Sequence, residues 1–239
     1  MLADCRRIPT MPSRRLPSQP DAQSQPWLRR QAGRQLLSGV QRIAIPELTR
    51  VFGQHGLYLR PSSEIAPELS GNMLSHVVSL HRSGQGLGGQ LRCRDAELPI
   101  ENSSLSLVYA LFVLESSTHP EALMHEIARV LKPEGVALVI SLNPWSLARL
   151  RWWSPSSRGT PASWVARLAA DAGLDRVRCR HIGPFWSNAK AALSAEAGDS
   201  WLDGFRVANL LVLRRREAGL TPLRRSHAAV SLRPGMSPG

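Results

Sequence analysis

The chain has 239 residues, 43% of them hydrophobic and 20% charged, with a formal charge of +12. That balance fits one globular domain with tails and excludes a chain disordered throughout. The charge lies at the ends: residues 1–50 hold nine arginines against Asp4, Asp21 and Glu47, residues 205–239 hold seven against Glu217, and residues 51–204 are neutral. A nucleic-acid-binding fold carries basic side chains on its own face, so no specific nucleic acid is expected as partner. Almost every basic residue is Arg, with Lys132 and Lys190 as the two lysines, a bias that genome base composition can produce without selection for phosphate binding.

Cys5, Cys93 and Cys179 are distant from one another and odd in number. They form no disulfide framework and no ligand spacing, so no metal is expected and a reducing cytoplasmic setting is the natural one. The longest apolar run, Leu105 to Leu114, falls short of the roughly 20 residues a membrane helix needs. Nothing specifies an oligomer.

Residues 1–26, with five prolines, read as a disordered Arg/Pro-rich leader, and residues 217–239 as a similar tail. Between them, residues 27–216 are expected to form one domain. From Trp27 to Val51, apolar residues recur at helical spacing through Leu36, Leu37, Val40, Ile43 and Leu48, with an interruption expected at Pro46. Leu57-Tyr58-Leu59 reads as a short strand, His76 to Leu80 as a second and residues 90–93 as a weak third. Leu105 to Leu111 is a buried strand by its unbroken apolar run. Pro120 opens a helix that keeps its period through Leu123, Met124, Ile127, Val130 and Leu131, and Pro133-Glu134-Gly135 stops it. Val136 to Leu142 is the next strand. A helix over 161–173 ends on Gly173, and strands follow at Val177 to Ile182 and Val207 to Leu213.

Strands alternating with helices predict an α/β layered domain with a mostly parallel sheet. Such sheets bind ligands in the crevice at the carboxyl ends of their strands. That directs attention to the loops after Leu59, Leu80, Arg94 and Leu111.

The stretch from Arg94 to Ser146 is the most specific. It holds Asp95-Ala96, Leu98-Pro99, a strand running into Leu114-Glu115, a helix ending Val130-Leu131-Lys132-Pro133-Glu134-Gly135, and Asn143-Pro144-Trp145-Ser146 after the next strand. In this order the pieces resemble class I S-adenosylmethionine-dependent methyltransferases of the type 11 group, and within it a bacterial subgroup with a degenerate glycine loop. The resemblance implies a single Rossmann-like domain with a mostly parallel seven-stranded sheet and helices on both faces. It implies a transferase that uses S-adenosylmethionine on a small-molecule substrate. The implied cofactor-binding residues are Leu59 and Arg60 after the first strand and Leu80 and His81 after the second. Asp95 and Ala96 would meet the adenine, and Tyr109 and Leu111 the sulfonium side. No catalytic residue is assigned.

The departures from the family pattern are specific. Arg60-Pro61-Ser62-Ser63 stands where such enzymes have a Gly-x-Gly loop, and Arg60 is expected to intrude on the cofactor. Leu80-His81-Arg82 has no carboxylate for the ribose hydroxyls. Phe112 replaces a frequent His. These favour an alternative, a catalytically degenerate methyltransferase-fold protein that acts as a binding or scaffold partner. Gly84 to Gly89 contains GxGxxG after a strand, but no helix can follow it before Pro99, so it reads as a flexible connector. Trp145, Trp152 and Trp153, interleaved with Arg149, Arg151 and Arg158, fall where this fold caps its active site. His119, His125 and His181 are dispersed, and hydrolase chemistry has no support.

Overall fold

In a computed structural model of the chain, residues 26–146, 159–183, 195–196 and 204–216 are described. The leader, the tail, Trp152, Trp153, Arg149, Arg151 and Arg158 lie outside the described residues. A 3-10 turn, Pro26–Arg29, leads into α1, Gln31–Leu48. The strands are β1 (Phe52–Arg60), β2 (Met73–Ser83), β3 (Gly86–Gly89), β4 (Leu105–Leu111), β5 (Leu131–Leu142), β6 (Leu174–Ile182), β7 (Ala195–Glu196) and β8 (Ala208–Arg215). Helix α2 (Pro120–Val130) lies between β4 and β5, and α3 (Ala162–Asp171) between β5 and β6.

The strands form one sheet in the order β3-β2-β1-β4-β5-β8-β6-β7. The four central strands β2, β1, β4 and β5 run parallel, and the antiparallel strands lie outside them. The mostly parallel sheet expected from the sequence is thus present, with the two-residue β7 added at one edge.

Two apolar layers cover the sheet. Leu57, Leu59, Leu80, Val108, Ala110 and Val139 pack against α2 and α3 through Leu123, Met124, Ile127, Val165 and Leu168. The alternate residues Tyr58, Leu107, Tyr109, Leu111, Leu138 and Ile140 pack against α1 through Leu36, Leu37, Val40, Ala44 and Leu48. Adjacent residues of β4 therefore serve opposite layers, the period of two that a strand imposes. At the end of α1, the buried Glu47 carboxylate accepts from Arg178 Nη1 of β6 at 2.7 Å and pairs with Arg50 and Arg180. Among the described residues no helix is long and apolar enough to cross a membrane.

Four expectations about local structure are corrected. Helix α1 runs through Pro46 without interruption. The proline removes one amide bond near the end of the helix, and the packing of Val40, Ala44 and Leu48 on the sheet holds the last turns in place. Residues 90–93 are not a strand. The glycine segment is not a flexible connector: β3 returns antiparallel along the end of β2 through a two-residue turn at Gly84 and Gln85, with φ 58° at Gly84. Gly89 has φ 130°, and a Cβ there would stand 2.8 Å from the Ser79 carbonyl oxygen, so glycine is required. Finally, Leu131 and Lys132 belong to β5, because Leu131 already pairs with Leu105.

The connection from β1 to β2 has no helix. Parallel neighbours need a crossover of about a dozen residues, usually helical; here residues 61–72 cross without one. Leu69 is buried in the α1 layer and Ile65 packs on it. Asn72 holds the entry to β2, with Nδ2 donating to the Leu69 carbonyl at 2.5 Å and Oδ1 accepting from the Leu74 amide at 3.0 Å.

Candidate functional site

The carboxyl ends of β1, β2, β4 and β5 meet along one edge of the sheet. Leu59 pairs with Leu80 and with Ala110, and Arg60 pairs with His81, so the ends of the three strands align. Leu59 and Leu80 turn their side chains into the α2 layer, and Leu111 turns its own into the α1 layer. These three present backbone, not side chain, to the edge.

Arg60 does not project outward from the strand end. Its side chain is 5% exposed, and Nη1 donates to the carbonyl of Ile65 in the following loop. Burial lowers the guanidinium pKa, and the nearby Tyr58 raises it. Ser62, also buried, accepts from the Glu64 amide at 3.2 Å. The loop after β1 is closed by its own hydrogen bonds.

Asp95 is not an open acceptor on the surface. It is 3% exposed and ion-paired with Arg82 Nη1, and Oδ2 accepts from the Ser117 hydroxyl at 2.5 Å. Arg82 is 2% exposed, and its Nη2 also reaches the Val113 carbonyl at 3.3 Å. The pair ties β2 to the loops before and after β4. The end of β2 has no carboxylate of its own, and Asp95 brings one to it. Ala96 is exposed beside it. The Leu98-Pro99 segment is anchored to α2, where Glu126 accepts from the Leu98 amide at 2.7 Å and Arg129 donates to the carbonyls of Leu98 and Ile100.

Tyr109 is fully buried and stacks on Tyr58 at 5.3 Å between centroids. The Tyr58 oxygen accepts from Gln41 Nε2 of α1 at 3.0 Å. Burial pushes the Tyr58 pKa up to about 12 and that of Tyr109 well above its usual value, so both are neutral phenols. Beyond β4, Phe112 takes φ 48°, an uncommon left-handed conformation for a bulky residue. Its ring meets the edge of Trp27 at 5.4 Å and 84°, so the turn before α1 caps the end of β4.

Glu115 follows in a 3-10 turn, Leu114–Ser116. Its Oε1 accepts from the Leu142 amide at 2.5 Å and from the Thr160 hydroxyl at 3.3 Å, while Oε2 is buried without a hydrogen-bond partner. Burial pushes its pKa up to about 7. Between about pH 4.5 and 7 the folded chain then holds a proton that the unfolded chain has released. Stability is expected to fall as pH rises through that window and to level off above it. The loss is about 3 kcal/mol, and Glu115→Gln should flatten it. Urea midpoints at pH 5, 6, 7 and 8 for both forms check this.

After β5, Asn143 ties the turn to the approach to β8: Nδ2 donates to the carbonyls of Gly204 at 2.5 Å and Arg206 at 2.8 Å, and Oδ1 accepts from the Trp145 amide at 3.2 Å. Trp145 stands 69% exposed at this edge.

Of the residues expected from the sequence, Leu59, Arg60, Leu80, His81, Tyr109 and Leu111 are therefore gathered at adjoining strand ends. Asp95 is linked to them through Arg82. Arg82, Glu115 and Tyr58 are additions that the structure makes. The Leu114-Glu115 pair is visible as a motif, but no sequence signal joins Arg82 to a carboxylate thirteen residues away. Buried polar atoms without a hydrogen-bond partner concentrate here: Arg60 Nε, the Ser79 and Tyr109 hydroxyls, Arg82 Nε and Glu115 Oε2. Such atoms are costly in a finished core and suit an edge that takes a polar ligand.

Residues 47–139 match the family model of the methyltransferase domain. Over 96 residues the chain is 40% identical to the biotin biosynthesis bifunctional protein of Cellvibrio japonicus, covering 40% of this chain and 18% of that protein. Over 127 residues it is 28% identical to a malonyl-[acyl-carrier protein] O-methyltransferase of a Marinomonas species, covering 52% of this chain and 45% of that protein. The alignments thus span less than half of either relative. The fold matches that of an S-adenosylmethionine-dependent methyltransferase from Thermotoga maritima, with TM-score 0.52, 12% identity, and coverage of 77% of this chain and 94% of the other.

Proposed function

We propose, from a class I methyltransferase fold whose family match spans residues 47–139, that the chain is an S-adenosylmethionine-dependent methyltransferase acting on a small molecule. The observation that carries this reading is the family match on the same strand ends that gather the buried, unpartnered polar atoms. The residues present fit the cofactor in part. Asp95 is 3% exposed and holds Arg82 and Ser117, so its part would be to position this segment, with the exposed Ala96 beside it meeting the base. The backbone at Tyr109, Ala110 and Leu111 would line the sulfonium side, and Leu59, Arg60, Leu80 and His81 the rest of the cofactor. The ribose position departs from the family, with His81 where a carboxylate usually stands. The bound cofactor supplies an electrophilic methyl group. The chain's own part is to align the acceptor and exclude water, which in such transfers supplies most of the rate. Trp145, exposed in the turn after β5, offers a flat apolar surface for a small organic substrate. The free thiols Cys93 and Cys179 support a reducing cytoplasmic setting.

The second reading, a degenerate scaffold, is favoured by one observation: residues 61–72 form no helix after β1 and present no glycine loop. Calorimetry on the folded full chain separates the two. Micromolar binding of S-adenosylmethionine and S-adenosylhomocysteine is expected. Absence of heat at millimolar cofactor overturns the enzyme reading in favour of the scaffold.

A further inference from the structure

We infer that His181, at the carboxyl end of β6, is a fixed proton acceptor, its Nε2 left bare by a buried polar row that holds the ring proton on Nδ1. The inference rests on the methyltransferase reading in one respect, that the proton comes from the atom to be methylated. The substrate is then a hydroxyl, thiol or ammonium compound, which carries a proton on the attacking atom, and not a carboxylate.

Three register partners form the row. His181 stands opposite Asn209 of β8, and Asn209 opposite Ser141 of β5. In the preceding row of the same face, Cys179, Leu211 and Val139 stand in the same order and belong to the apolar layer under α2 and α3. The face thus turns from apolar to polar in one step at the carboxyl end of the sheet. Asn209 is 1% exposed and Ser141 is fully buried, whereas His181 is half-buried and forms the outer end of the row. A buried polar row whose members are all satisfied is rigid and specifies one arrangement.

The hydrogen bonds run in one direction. Ser141 Oγ donates to the Thr160 carbonyl at 3.1 Å, so its one proton is used and it accepts from Asn209. Asn209 Nδ2 supplies that bond at 3.4 Å, which turns Oδ1 toward the imidazole. Oδ1 lies 2.8 Å from His181 Nδ1. Two acceptors do not meet at that distance, so Nδ1 carries the proton. In a neutral imidazole the proton on one nitrogen leaves a lone pair on the other, here Nε2. Arg206 Nη1 donates to the Gly183 carbonyl at 3.1 Å and holds the chain just beyond the ring. On the other side of β6, Glu196 of β7 is the register partner of His181. At the inner end the Thr160 hydroxyl donates to Glu115 Oε1 at 3.3 Å, which anchors the row beside the exit of β4. From β5 to β6 is two strand spacings, about 10 Å, a span that a small organic substrate covers.

The step balances. The attacking atom bonds the methyl carbon as the carbon–sulfur bond breaks and leaves a neutral thioether. The proton of the attacking atom passes to Nε2, and the imidazolium returns it to water.

The test uses the full chain. Long-range proton–nitrogen spectra at pH 8, with the ring assigned through His181→Gln, are expected to show the proton on Nδ1. Asn209→Leu is expected to release this tautomer, and Asn209→Asp, which keeps an acceptor, to retain it. A proton on Nε2 in the wild type overturns the inference, as does a tautomer that survives Asn209→Leu and changes in Glu196→Gln. Turnover is read with S-adenosylmethionine and four acceptors: phenol, 2-mercaptoethanol, ethanolamine and propionate. Methylation of one of the first three is expected. His181→Gln should lose about a hundredfold or more in kcat with cofactor affinity unchanged, and added imidazole should restore part of the rate in His181→Gly. A loss that imidazole does not restore marks a structural role and overturns the inference. Methylation of propionate alone, or of no acceptor by a chain that binds the cofactor, overturns it too. Absence of cofactor binding overturns the methyltransferase reading and with it the source of the proton; the tautomer alone then decides whether His181 is a fixed proton acceptor.

Discussion

Asp95→Ala is expected to lower the unfolding free energy by about 3–5 kcal/mol, the loss typical of a buried ion pair that keeps only one partner. The variant leaves the Arg82 guanidinium, 2% exposed, with only the carbonyls of Gly86 and Val113. A buried charge that loses its partner cannot be rehydrated without opening the turn between β2 and β3. Asp95→Asn retains acceptor atoms for Arg82 and Ser117 and should lose less. The double variant Arg82→Leu with Asp95→Leu should be more stable than either single one, because both charges leave together. Urea midpoints with an unchanged slope are the measurement. Were Asp95 only an adenine acceptor, Asp95→Ala would weaken cofactor binding and leave the midpoint in place, which would refute the structural role.

Gly33→Ala is expected to destabilise by about 3 kcal/mol, against the direction that helix propensity suggests. In a helix interior alanine is favoured over glycine by about 1 kcal/mol. At Gly33, however, a Cβ would stand 2.1 Å from the carbonyl oxygen of Trp27, a backbone atom that no rotamer can clear. The 3-10 turn must lift away from α1, and it carries Trp27 and Leu28, both buried. Exposing each costs about 1.5–3 kcal/mol, so undocking outweighs the gain in propensity. The same shift pulls Trp27 from the edge of Phe112 and opens the cap over the end of β4. A midpoint equal to or above that of the wild type would show that the turn does not sit where it is placed.

The legible part of the fold lies where one element is decided by its own residues. Leu105 to Leu111 and Val136 to Leu142 are unbroken apolar runs, and Pro120 with the period through Ile127 can only be a helix start and a buried face. The departures all arise from tertiary context. Helix α1 continues through Pro46 because Val40, Ala44 and Leu48 on either side of it are packed on the sheet. The Gly84–Gly89 segment lacks a following helix, as its sequence indicates, but glycines in a hairpin look the same in sequence as glycines in a linker. Only the contact of Gly89 with the Ser79 carbonyl distinguishes them. The site divides in the same way. Strand ends can be located from the order of elements, so Arg60, His81, Tyr109 and Leu111 are found together. The use of each side chain depends on partners far along the chain. Asp95 reads from sequence as an adenine acceptor because its pairing with Arg82 spans a hairpin that the sequence does not reveal. Arg60 reads as an obstacle because nothing in Arg60-Pro61-Ser62-Ser63 indicates that its guanidinium folds back to Ile65.

The missing helix between β1 and β2 has a consequence for how the chain is made. Helix α1 shares its layer with Leu138, Ile140 and Leu142 of β5, and with Val207, Ala208, Leu210 and Val212 in and before β8. Helix α1, made before every described strand, thus completes its layer only with β8, the last of the described strands. At ordinary synthesis rates the interval is on the order of ten to thirty seconds. During it, an amphipathic helix with Leu36, Leu37, Val40 and Leu48 on its apolar face stays incompletely covered. Vectorial synthesis therefore favours early docking of the β4–α2–β5 unit, whose contacts are local, with α1 closing over it last. Nascent chains stalled before residue 207 should be the species that chaperones hold.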